Sequence, residues 1–367
     1  MATIAFPALS KSHTVHTHLY TYAHSPPHNT IKQTILFLHG FPSSSFDWRN
    51  QITYFTNLGY GVLVPDLLGY GQPTSNNNNN NNSTTSQPAS LEDYKGSTMA
   101  ADIIALLDHE NLTEPVHAVG HDIGCYLLSK LANYFPSRLA SVAFLGVPYS
   151  PPAERVDFDK INAMMKMTIG FERFGYIKFF ISDEAAGLIE EHMDSFFSLF
   201  YPADPDLWVE HLGPTGALEA WLRSDRKAPL APFITEEVGR FFITPQSLCM
   251  AAKVTHLFTI QEKSTHRTIM RGHYRSALMW YRALAGNINV DDEIKAGLDP
   301  KLRQPVLMMS PKASKLNPPG AGEVVRRFAD RLTVKELSSS GHWAQLEVPG
   351  EVNEALREFF ERSSLDS

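Results

Sequence analysis

An aspartate at the tip of a glycine-flanked turn is the residue best placed for covalent chemistry. Gly120-His121-Asp122-Ile123-Gly124 closes an apolar run, Val116 to Val119, and opens a helical pattern, Tyr126 to Leu131. A strand, a sharp turn and a helix in that order display a nucleophile at the tip, normally in the pattern G-x-S-x-G. Gly120 and Gly124 let the backbone take a strained turn and let strand and helix pack closely. With aspartate in the middle, the nucleophile is a carboxylate, ionised at neutral pH and suited to attack at saturated carbon. The ester it forms keeps a carbonyl that water can attack afterwards. The competing role for Asp122 is structural, an N-cap on the following helix. A general base is available in Gly341-His342-Trp343, after the last apolar strand and before a helix. His39-Gly40-Phe41-Pro42 follows the Ile35 to Leu38 strand, where an oxyanion-binding loop belongs. Asp66, in Pro65-Asp66-Leu67-Leu68-Gly69-Tyr70-Gly71, sits before a glycine-rich turn and reads as a carboxylate bonding backbone N–H groups.

The elements that position these groups follow from hydrophobic patterning. Apolar strands are expected at 35–38, 61–64, 116–119, 141–145, 305–309 and 332–337, with helices at 99–109, 126–134, 322–331 and 352–362. Near-continuous apolar strands alternating with helices predict a mostly parallel sheet covered on both faces. His13 to His24 alternates polar and apolar residues and predicts one antiparallel edge strand, with His13, His16 and His18 on solvated faces rather than on a metal. The strand–helix rhythm stops between Val147 and Pro305, at Pro148, Pro151 and Pro152. The interval is helical, aromatic and Met-rich, with Trp208, Trp221 and Trp280 expected in its own core, and it predicts a lid over the carboxyl edge of the sheet. Residues 1–150 and 291–367 are therefore expected to form the α/β core and 151–290 a helical cap. The Asn76 to Asn82 run predicts a disordered loop at about 74–90, and 242–268 stands out as an aperiodic stretch.

Composition limits the function. The chain has 367 residues, 43% hydrophobic and 11% aromatic, enough for a large core. A formal charge of −7 and a pI near 6.1 argue against nucleic acid as a partner. No apolar run reaches the roughly 18 residues needed to span a bilayer, so membrane insertion is not expected. Met1 to Pro7 lacks the basic and apolar parts of a secretory leader, and two cysteines, Cys125 and Cys249, give no disulfide framework. A cytoplasmic location is expected, with the oligomeric state open.

The order of nucleophile, then histidine, on these elements is that of the α/β-hydrolase fold. From about Ile35 to Phe360 the chain resembles epoxide hydrolases of that superfamily, of the soluble, cytosolic type. The resemblance rests on His39-Gly40-Phe41-Pro42, the Trp48 region, Asp66 to Gly71, Gly120 to Gly124 and Gly341-His342-Trp343, with Trp280-Tyr281-Arg282 and Gly175 to Phe180 in the lid. It implies no cofactor and a small apolar epoxide substrate. Asp122 would be the nucleophile, His342 the base for ester hydrolysis, and Tyr176 and Tyr281 the phenols on the epoxide oxygen. Phe41 and Ile123 would supply oxyanion N–H groups, and His39 and Trp48 would support substrate binding.

One expected part is missing. The resemblance implies an acid that orients His342, but Ser314 stands at its usual position and Gly146 at the alternative one. Glu154 and Glu323 are the nearest carboxylates in sequence, and Asn317 could hold the imidazole without charge. An impaired enzyme, or a binding protein on the same scaffold, is one alternative. Another is a haloalkane or fluoroacetate dehalogenase, which needs N–H donors for its halide. Ile123 offers no indole there, and paired tyrosines favour the epoxide.

Overall fold

Three strands that lie side by side are buried at every residue, and the site grows from their ends: β4 (Gly61–Pro65), β3 (Thr34–Leu38) and β5 (Val116–His121). The computed structural model describes residues 2–28, 32–71, 86–234, 270, 272–314, 317 and 319–365. The Asn76 to Asn82 run and the stretch 242–268 lie outside the described residues.

With β1 at Ser10–Val15, β2 at His18–Ser25, β6 at Leu139–Leu145, β7 at Val306–Pro311 and β8 at Leu332–Leu337, the eight-stranded sheet has the order β1-β2-β4-β3-β5-β6-β7-β8. Pairing is parallel from β4 through β8. Alternate side chains feed two cores, because successive residues of a strand point to opposite faces. Leu36 and Leu38 pack into one with the helices Gly96–His109 and Ile123–Tyr134. Ile35 and Phe37 pack into the other with Arg49–Asn57 and Pro349–Leu365. The chain leaves β3 toward β4 on one side and returns to β5 on the other, so the crevice at their carboxyl ends is a topological switch point, where open α/β sheets bind ligands.

The amino-terminal region corrects the expectation of one edge strand. β1 (Ser10–Val15) and β2 (His18–Ser25) form an antiparallel hairpin, and the turn places His16 at φ 54°. Alternation persists through both strands, so periodicity alone does not reveal the reversal. His18 is also not solvated: it is 3% exposed, with Nδ1 2.6 Å from Asp102 Oδ2.

Between β6 and β7 the described chain is a series of short helices. Among them are Tyr176–Phe180, Met193–Phe200, Leu207–His211 and Met279–Ala285. Trp221 and Trp280 are buried as expected, at 3% and 2%. The expected 322–331 helix is shorter, ending at Arg326. No helix among the described residues is long and apolar enough to cross a membrane.

Candidate active site

Asp122 follows β5 directly and adopts φ 54°, ψ −122°, a conformation that costs a non-glycine residue steric energy and aims its side chain away from the helix it precedes. Its carboxylate makes no capping bond to that helix, which removes the structural role considered above. Close approach fixes the neighbouring glycines. A Cβ on Gly40 would lie 2.5 Å from Asp122 Cβ, and one on Gly124 would lie 2.3 Å from the Leu38 carbonyl oxygen.

The two oxygens of Asp122 have different partners. Oδ1 accepts the Phe41 N–H at 2.9 Å, and Oδ2 lies 3.5 Å from His342 Nε2. Burial alone would raise the carboxyl pKa, but His342 and the Phe41 N–H together hold it below its ordinary value. The group is therefore an anion at neutral pH. Ile123 opens the following helix, so its N–H is one of the first-turn donors without an intrahelical partner.

His342 is held through its backbone. Glu347, on the next turn of chain, accepts the Gly341 N–H on one oxygen (3.0 Å) and the Trp343 N–H on the other (2.9 Å). The His342 carbonyl lies 2.9 Å from His121 Nε2, and the other ring nitrogen of His121 faces the Gln345 side-chain amide at 3.2 Å. An amide nitrogen can only donate, so His121 Nδ1 accepts and Nε2–H donates to the carbonyl. Burial, first, and the neighbouring His342 lower the His121 pKa and keep it neutral. Trp343 donates its indole N–H to the Phe200 carbonyl (2.8 Å) and stacks on Tyr201, which ties this loop to the inserted helices.

A cavity of about 80 Å³ brings Asp122, His342, Phe41, Tyr176 and Tyr281 together. The rings of Tyr176 and Tyr281 sit 6.3 Å apart at 81°. Burial, and after it the charge of Asp122, raise both phenol pKa values, so each hydroxyl keeps its proton at neutral pH. The three residues Trp280-Tyr281-Arg282 divide the work of placing that phenol. Trp280 donates to the Leu68 carbonyl (2.7 Å), on the loop after β4. Arg282 donates to the Ser182 carbonyl (2.8 Å) and to Asp183 (3.0 Å), just beyond the helix that begins with Tyr176.

Several expected residues sit elsewhere. Trp48 is fully buried against Phe37 in the core on the opposite face, outside the cavity lining, because its helix packs under the sheet. His39 also does not line the cavity. Its Nε2 accepts the Leu67 N–H (3.0 Å) and its Nδ1–H donates to the Gly40 carbonyl (2.9 Å), fastening the loops after β3 and β4 to each other. Asp66 bonds Ala2 N–H, Thr21 and Ser45, a structural role. Asn317 lines the cavity but donates to the Ser340 carbonyl (2.9 Å). Glu323 pairs with Arg326, and Glu154 is exposed. Among the described residues the carboxylate paired with His342 is Asp122 itself. Trp208 packs against Phe200 of the inserted helices and also lines the cavity, 5.2 Å from the His342 ring. Glu347 and Arg173, also at or beside the cavity, carry no motif that would have singled them out, and His121 stands within the Gly120 to Gly124 motif without a role being read for it.

Residues 35–355 match the model of the alpha/beta hydrolase family, and the chain belongs to that family. Among curated proteins it is 25% identical over 334 residues to the pig "Bifunctional epoxide hydrolase 2", covering 89% of this chain and 51% of that protein. It is 27% identical over 342 residues to "Epoxide hydrolase A" of Mycobacterium tuberculosis, covering 89% of each. The chain thus spans about half the length of the pig and mouse relatives. A solved structure of an epoxide hydrolase A from Mycobacterium thermoresistibile shares the fold at a TM-score of 0.64 and 24% identity, covering 96% of this chain and 98% of that one. An epoxide hydrolase from Vigna radiata shares it at 0.67 and 21%, with coverage of 96% and 98%.

Proposed function

We propose that this protein hydrolyses an epoxide to a vicinal diol through an ester on Asp122. The observation that carries the reading is the cavity in which one ionised carboxylate, one imidazole and two protonated phenols meet. Asp122 Oδ2 attacks the less hindered epoxide carbon from behind the C–O bond. The departing oxygen, a strongly basic alkoxide, takes a proton or hydrogen bonds from Tyr176 and Tyr281. Oδ1, already on the Phe41 N–H, becomes the ester carbonyl oxygen. His342 then takes a proton from water, which attacks the ester carbon. The N–H groups of Phe41 and Ile123 hold the oxyanion, a contribution of roughly 3 kcal/mol per donor. The inserted helices, within residues 151–290, act as a cap that supplies the phenols and encloses the substrate.

Two observations favour an epoxide over a halide. Phenols face the nucleophile, and the indole N–H of Trp208 in the cavity wall is spent on the Leu199 carbonyl (2.6 Å). A halide would find no indole donor there. With Ser314 and Gly146 at the expected acid positions, ester hydrolysis is the slower half-reaction, since a neutral replacement of that acid costs serine enzymes about 10⁴ in kcat.

A single turnover of styrene oxide in ¹⁸O water tests the route. The first diol should be unlabelled and the label should appear in Asp122, with ester forming faster than diol is released. Label in the first diol would refute the covalent ester, and diol release as fast as alkylation would refute the slow second half.

A further inference from the structure

Three charged or chargeable groups line the cavity: Asp122, His342 and Arg173. The first two face each other, and Asp122 also holds the Phe41 N–H. Arg173 is different. Among the described residues no carboxylate pairs with it, and its contacts are the ring of Phe174, 5.7 Å away, and the electrostatic influence of the Tyr176 phenol. Its sequence neighbour Glu172 is committed elsewhere, to the Thr215 N–H (2.8 Å) and to Lys166 (3.6 Å).

A guanidinium cannot shed its proton in a protein, so it stays charged where burial disfavours that charge. The surrounding wall is apolar: Phe171, Phe174, Phe200, Trp208 and Leu212. A half-buried cation against such a wall, with no carboxylate paired to it among the described residues, would gain from a ligand that brings one. Its place is also informative. Arg173 lies three residues before Tyr176, in the turn that opens the Tyr176–Phe180 helix, and shares the cavity with that phenol. An anion bound to it would lie close to the epoxide oxygen.

We propose that the preferred substrate is an α,β-epoxy acid, whose carboxylate is bound by Arg173 while its epoxide oxygen meets Tyr176 and Tyr281. A carboxylate suits the site better than a phosphate. Its single charge matches one guanidinium, whose planar fork accepts it on two parallel hydrogen bonds. A phosphate dianion would leave excess negative charge in a cavity that already holds Asp122. The assignment rests on the epoxide-hydrolase reading for turnover but not for binding.

The test compares trans-2,3-epoxybutanoate with trans-2,3-epoxybutanamide as substrates, and the inert crotonate with crotonamide as calorimetric ligands. Wild-type protein should favour each acid over its amide by on the order of tenfold or more, the usual weight of a hydrogen-bonded charge. Arg173→Leu should abolish that preference by weakening the acids far more than the amides, and Arg173→Lys should retain part of it. Equal handling of acid and amide by the wild type, or an Arg173→Leu variant weakened equally toward both, would overturn the proposal. Arg173-dependent crotonate binding without turnover of either epoxide would uphold Arg173 as a carboxylate site and overturn both the hydrolase reading and the assignment of an epoxy acid as substrate.

Discussion

The oxygens of Asp122 are set apart before any substrate arrives: one rests on a backbone N–H, the other faces the imidazole. Under the proposed mechanism that asymmetry would assign which oxygen attacks and which becomes the carbonyl, with no rearrangement between the half-reactions. It depends on the His342 loop, and the loop depends on Glu347. Replacing Glu347 with Gln leaves one of two clamped N–H groups facing an amide that cannot accept from it. The expected result is a loss of about 1–3 kcal/mol of stability in urea unfolding, with kcat lowered and KM little changed. An unchanged kcat would show that the clamp does not position His342. Asp122 and His342 were legible in the sequence because glycine spacing and strand–helix context mark them. Glu347 and the role of His121 were not, since a side chain bonding nearby backbone leaves no periodic trace. Arg173 was equally invisible, because its isolation is a property of three-dimensional surroundings.

Elements are joined where the chain leaves the sheet for the inserted helices by buried polar links. Lys130, on the helix that follows Asp122, pairs at 2.6 Å with Glu293 on the helix Val290–Ala296, and both side chains are almost wholly buried. Glu293 also accepts the Ala153 N–H (2.6 Å), where the chain leaves the sheet for the inserted helices. Lys130→Met would strand a buried carboxylate, at a cost of about 3–5 kcal/mol. Adding Glu293→Gln should recover part of that loss in urea unfolding. A single variant as stable as the wild type would show that the pair is not holding this junction. The parallel strands were legible from their apolar runs, whereas the β1–β2 reversal at His16 was hidden by continuous alternation. The opposite placements of Trp48 and Trp208 were hidden too, because hydrophobicity says that a tryptophan is buried but not on which face of a sheet.

For the whole molecule, buried imidazoles set the response to acid. Burial lowers His39 and His273 to about 4 and His117 to about 3, and it also lowers His24 and His121. Unfolded, each would take up a proton near pH 6.5. Between that pH and their folded values the unfolded chain binds more protons, so their stabilising contribution is complete above about pH 6.5 and is lost as pH falls. His18 acts in the opposite sense. Its hydrogen bond to Asp102 raises its pKa, so its contribution is present below pH 6.5 and is lost as pH rises through the raised value. Five groups outweigh one, and the melting temperature should fall steadily from about pH 7 to about pH 4. A flat profile over that range would show that these histidines are not buried in neutral form.

The cavity draws its lower surface from loops of the sheet, through Phe41, Asp122, Gly146 and His342, and its upper surface from the inserted stretch, through Phe171, Phe174, Tyr176, Trp208, Leu212 and Tyr281. The inserted stretch thereby contributes both the two phenols and most of the apolar wall, while the carboxylate and imidazole come from the sheet. Such an arrangement leaves the ceiling free to be recut around its two tyrosines, with the floor beneath passing unaltered from one descendant to the next.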